Sequence, residues 1–184
     1  MRPFYYLKEI TLLFSMNVYT LKLDPIEIRH DQAYHTLHAI LHTILLQRTI
    51  GIPIRPKELQ SPVFDDLIYT IIDDDTIQQQ VDLQLREITK NIEHQKKMRI
   101  YLSLCARTIK YGFMGAYTEH LEWERWYVEL HFSTTAAHSL EKTIKSILEH
   151  CSVPPQYIPT SNFSFDIIDV NASSMFDVLK PFFS

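Results

Sequence analysis

The sequence predicts an α+β domain, a mainly antiparallel sheet packed around one long central helix with further helices on one face. Three observations carry this. Residues 31–51 form an apolar helical stretch with no Lys, Asp or Glu between Ala33 and Gln47, so the helix is expected to be covered on more than one side. Five strand-like segments, four of them alternating and one apolar on both faces, never fall in even turn with helices, which favours an α+β sheet over a doubly wound one. At 184 residues the chain suits one domain with a core of its own.

Taken in order, residues 1–17 read as an N-terminal extension ahead of a domain spanning 18–184. The unbroken apolar part of that extension, Ile10 to Phe14, is far too short to span a bilayer. Val18 to Leu23 alternates as a strand that ends at Asp24-Pro25. The central helix follows, with Asp31 expected as its N-cap and Gly51 and Pro53 as its stop. Pro53, Pro56 and Pro62 predict an irregular loop. Leu67 to Ile72 is β-branched and apolar on both faces, the pattern of a buried strand.

Asp73, Asp74 and Asp75 then open a helix running to about Lys96, with Asp75 and Gln78 as a variant capping box. Its narrow stripe of Ile77, Val81, Leu85, Ile88 and Ile92 marks a surface helix. Ile100 to Arg107 and Trp126 to Phe132 alternate as two strands of an antiparallel pair, joined by a long connection from Thr108 to Arg125. Ala137 to Cys151 is an amphipathic helix stopped by Val153-Pro-Pro155. Phe163 to Ile168 is a further strand, and Ser173 or Ser174 is placed to cap a short terminal helix.

Composition narrows the function. A hydrophobic content of 46% with 22% charged residues is globular. The net charge of −4, with Lys and Arg scattered, carries no footprint for nucleic acid. Three glycines leave no room for a glycine-rich phosphate loop. Cys105 and Cys151 lack metal-ligand spacing and read as free thiols of a reducing compartment.

Patterns that carry chemistry are few. His35, His38 and His42 share one side of the central helix, and His38 and His42 have the i, i+4 spacing of a zinc pair. The glutamate of an H-E-x-x-H motif is missing, so these imidazoles are expected to be partly buried and hydrogen-bonded rather than metal ligands. Cys151 follows His150 directly, but adjacent helix residues do not face each other. Glu122 and Glu124 flank Trp123 without forming an acid/base pair. No catalytic residue, metal or cofactor is expected, which favours a binding or scaffold module. The connection holding Tyr111, Phe113, Met114, Tyr117 and Trp123 is unusually aromatic for a turn. Either its rings fold onto the core, or they form a projecting finger, since exposed rings make good docking anchors.

Two stretches carry a resemblance to a known family. Leu37 to Gly51, LHAILHTILLQRTIG, resembles the first helix of the autophagy-related protein 101 family, and Trp123 to His131, WERWYVELH, resembles its W-x-x-W strand. Weaker matches are Tyr157-Ile-Pro159 and Phe163 to Val170. The resemblance implies a HORMA domain and a non-catalytic subunit of the autophagy-initiation kinase complex. It implies pairing with the HORMA domain of autophagy-related protein 13, a cytoplasmic location, and recruitment of downstream factors to the phagophore assembly site. It places the recruiting finger at Tyr111 and Phe113, with Tyr111 standing where the family pattern has Trp. By analogy of fold, the partner surface falls on the helix carrying His138, Glu141, Lys142, Lys145 and Glu149. The alternative is a HORMA module that captures a peptide motif by C-terminal strand addition.

Overall fold

The computed structural model describes residues 18–49, 54–112, 115–134, 140–152 and 163–170. Among these residues the strands are β1 (Tyr19–Lys22), β2 (Ile26–Ile28), β3 (Pro56–Gln60), β4 (Ile68–Ile72), β5 (Lys97–Gly112), β6 (Gly115–Phe132) and β7 (Phe163–Asp169). The helices are α1 (Ala33–Arg48), α2 (Asp75–Thr89) and α3 (Leu140–Ser152), with a 3₁₀ turn at His30–Gln32 ahead of α1.

The helix α1 is the hub. Twelve of its sixteen residues are buried, and β4, α2 and α3 all pack against it. A helix with so little charge cannot keep a wet face without exposing aliphatics, so it is enclosed. Its start differs from the sequence expectation. Asp31 does not cap it but receives the Arg29 guanidinium, with Nε to Oδ1 and Nη2 to Oδ2 each 3.0 Å. The Gln32 side chain instead accepts the Arg29 backbone N–H at 3.0 Å. At the other end Thr49 closes the helix, its N–H bonding Leu45 O at 3.0 Å and its hydroxyl Leu46 O at 3.1 Å. The expected stop at Gly51 and Pro53 lies outside the described residues.

The main sheet runs β1-β6-β5-β7, with β2 also on β6. The β5–β6 and β5–β7 pairs are antiparallel, whereas β1 and β2 run parallel to β6. The inner rows of Ile100, Leu102, Leu104 and Trp126, Val128, Leu130 are buried, as period-two alternation requires when one face meets helices.

Several elements begin or end elsewhere than their residues predict. The proline-rich segment is not a loop, because β3 pairs with β4 from Pro56↔Ile72 to Gln60↔Ile68. Proline is tolerated there as the first residue of a strand. In β4, Ile68 is 61% exposed, so that strand is buried only from Tyr69 on. The helix expected to reach Lys96 ends at Thr89, although Ile92 beyond it is still buried. Its N-cap is Asp74, which accepts from the Ile77 N–H at 3.0 Å. The expected capping residue, Asp75, is the first helical residue, and the Gln78 amide reaches Ile72 O at 3.1 Å. The stretch 108–125 is not a loose connection either, since both strands continue through it to the Gly112↔Gly115 pair. The extension 1–17, the terminal helix after Ser173, and the start of the helix predicted from Ala137 lie outside the described residues.

Candidate docking surfaces

The β5–β6 hairpin carries exposed apolar side chains at its far end. A β-bulge falls where Leu104 pairs Glu124 and Cys105 pairs Glu122, leaving Trp123 as the extra residue. Bulges bend the strand and re-aim side chains, and here they separate two kinds of ring. Trp123 is 3% exposed and belongs to the core. Beyond the bulge, Ile109, Tyr111 and Tyr117 are exposed, Tyr111 at 86%. Ile109 and Tyr111 share one face of the hairpin by alternation. Lys110 and Tyr117 share the other, where Lys110 Nζ meets Glu119 Oε2 at 2.6 Å. Gly115 has φ +121°, a conformation L side chains rarely adopt, so glycine is needed where the chain re-enters the strand. Of the two expected finger residues, Tyr111 thus lies at the end of an exposed arm, and Phe113 lies outside the described residues.

On α3, Glu141, Lys142, Lys145 and Glu149 are all exposed, while Leu140, Thr143 and Ile147 are buried against the body. His138 lies outside the described residues. Beside the helix, a hollow of about 90 Å³ is lined by Leu23, Asp24, Pro25, Lys142, Thr143 and Ser146.

Two of the three histidines of α1, His38 and His42, are buried, whereas His35 is only partly buried and sits edge-on to the Tyr34 ring at 5.1 Å. His38 Nδ1 lies 2.8 Å from the Tyr69 hydroxyl, and its Nε2 is 3.6 Å from Asp82. Asp82 also accepts from the Tyr34 hydroxyl at 2.6 Å. His42 is fully buried, with its Nδ1 accepting the Ile72 N–H at 3.5 Å. Burial lowers the imidazole of His42 to about 3 and pushes that of His38 down against the pull of Asp82. Cys105 and Cys151 are both free. Burial raises both thiols, Cys151 to about 11, so neither is poised as a thiolate nucleophile.

Glu122 and Glu124 go to separate partners. Glu122 accepts from the Ser103 hydroxyl at 2.7 Å and from Arg125, whose guanidinium sits 5.2 Å over the Tyr101 ring. Glu124 binds Arg48 and accepts from the Trp126 indole N–H. The partnership of Arg48, at the end of one element, with Glu124, in another, has no local spacing to reveal it. Nor does any local pattern mark Ile109 as exposed, since the hairpin register that places it depends on the partner strand.

Together, a mixed sheet, an enclosed central helix and a projecting hairpin define a HORMA-like α+β domain. The sequence model of the family described as autophagy-related protein 101 matches residues 25–163, and the chain belongs to that family. It is similar to autophagy-related protein 101 of Arabidopsis thaliana, 29% identical over 117 residues. The match covers 62% of this chain and 54% of the Arabidopsis protein, so the chain spans about half the length of that curated relative. Among the described residues no helix is long and apolar enough to cross a membrane.

Proposed function

We propose that this chain is a non-catalytic adaptor of the autophagy-initiation kinase complex. It pairs with the HORMA domain of autophagy-related protein 13 through the outer side of α3, and it recruits downstream factors through the tip of the β5–β6 hairpin. It acts in the cytoplasm and gathers at the phagophore assembly site. Besides the family relationship, the observation that carries this reading is the arm itself. An arm that keeps Ile109, Tyr111 and Tyr117 in water gains nothing for the core, whereas rigid rings at a tip supply contact area with little entropy lost on docking. The four exposed charges of α3 offer a polar, alternating face suited to a folded partner.

The test is the double variant Tyr111→Ala/Phe113→Ala. It should keep its fold and its pairing with autophagy-related protein 13, and pull-downs from starved cells should lose downstream factors. Loss of thermal stability in the isolated variant would make these rings part of the core and remove the finger from the reading.

A further inference from the structure

Among the described residues β7 is the last strand of its sheet, and such an edge presents unpaired N–H and C=O groups to any passing strand. Which groups face outward is fixed by one bond. The N–H of Val170 donates to Arg99 O at 2.9 Å. In an antiparallel ladder, bonded and non-bonded pairs alternate, so Ser164, Asp166 and Ile168 turn their amides to β5. Phe165 and Ile167 therefore turn theirs to the edge.

Two glutamines of α2 meet those groups. Gln80 Nε2 donates to Phe165 O at 3.0 Å, and the Ile167 N–H donates to Gln84 Oε1 at 2.9 Å. The spacing explains the fit. Four residues of helix rise about 6 Å, and two residues of strand advance about 6.6 Å. An i, i+4 pair of primary amides thus presents one donor and one acceptor at nearly the repeat of a neighbouring strand. Each glutamine offers what the edge needs at that point.

We propose that Gln80 and Gln84 guard β7 against pairing with β7 of a second copy of this chain. The sequence of β7, FSFDIID, has the alternation and the aromatic and β-branched content of a strand former. Two such edges can meet about a two-fold axis, each strand pairing antiparallel with its twin. With the amides in place, the outward C=O of Phe165 and N–H of Ile167 are already engaged, and an incoming strand must first break both bonds. The same obstacle meets a captured peptide, which weighs against strand addition at this edge.

The test replaces both side chains with methionine, which is close in shape and cannot make these bonds. The Gln80→Met/Gln84→Met variant of the full chain should run at twice the 21.8 kDa monomer mass in light scattering after gel filtration, increasingly so with concentration. The Ile167 amide should exchange about tenfold faster in dilute monomer, as expected for one lost hydrogen bond. The Gln84→Glu variant keeps the acceptor, so it should remain monomeric with slow exchange at Ile167. If the double variant does not fold, Gln84→Met alone is read by the same two measurements. A folded methionine variant that stays monomeric at every concentration would overturn the proposal, as would a Gln84→Glu variant that exchanges like Gln84→Met.

Discussion

Arg48 and Glu124 meet in the interior, Nε 2.8 Å from Oε2, with their side chains 1% and 0% exposed. The pair ties the end of α1 to β6 next to the bulge, and Arg48 also reaches the Cys151 carbonyl at the end of α3 at 3.5 Å. Three elements therefore share one buried charge pair. Burial pushes the Glu124 carboxyl up, against the opposing pull of Arg48 and the Trp126 N–H. Removing one partner leaves the other as a lone buried charge. Arg48→Met should cost about 3–5 kcal/mol, a fall in Tm of about 10 °C for a domain of this size. Arg48→Met/Glu124→Leu should recover a large part of that loss, and thermal melts of the two variants check it.

Trp123 and Tyr111 lie on the same hairpin and should behave oppositely. Trp123→Ala removes a core ring and should cost about 3–5 kcal/mol. Tyr111→Ala removes an exposed one and should stay within about 0.5 kcal/mol of the parent. Urea denaturation of both variants gives the comparison directly.

Acid should weaken the fold through His42. Its folded imidazole is lowered to about 3, while an unfolded histidine titrates near 6.5. Below that pH the unfolded chain binds a proton that the folded chain refuses, so stability falls as pH falls from about 6.5 toward 3. At pH 5.0 this group alone should account for about 2 kcal/mol lost relative to pH 7.5. His38, also lowered, acts in the same direction. In urea titrations at the two pH values, His42→Gln should show the smaller loss. An unchanged pH dependence would mean that His42 takes up its proton as readily in the fold as in the unfolded chain.

The three aspartates at 73–75 should not be equivalent. Asp74 caps α2 through the Ile77 N–H, so Asp74→Ala should cost about 1 kcal/mol. Asp75 sits in the first turn and gives only the weaker favourable effect of a negative charge there. Asp75→Ala should cost about half as much or less, and chemical denaturation of the two single variants separates them.

These particulars show what the sequence made legible. The charge-poor run from Ala33 to Gln47 marked the buried helix because solvation of charge is a local property of each residue. The alternation around Ile100–Ala106 and Trp126–Phe132 marked the central strands for the same reason. Strand ends and partners were harder, because pairing is set by residues far away. Pro56 looked like a breaker, yet it is allowed where β3 begins. The parallel course of β1 and β2 beside β6 left no mark in their own residues. Trp123 and Tyr111 both read as aromatic residues of one connection, and only the bulge sends the first into the core. Likewise Arg48 and Glu124, 76 positions apart, carry no spacing that announces their bond.

Docking to another folded domain is tested most directly by co-expression with the HORMA domain of autophagy-related protein 13. The two chains should co-purify and elute together as a one-to-one complex. Lys142→Glu/Lys145→Glu, which reverses two exposed charges on α3, should separate them while leaving the melting temperature of this chain unchanged. Separate elution of the unmodified chains at micromolar concentration would contradict the account.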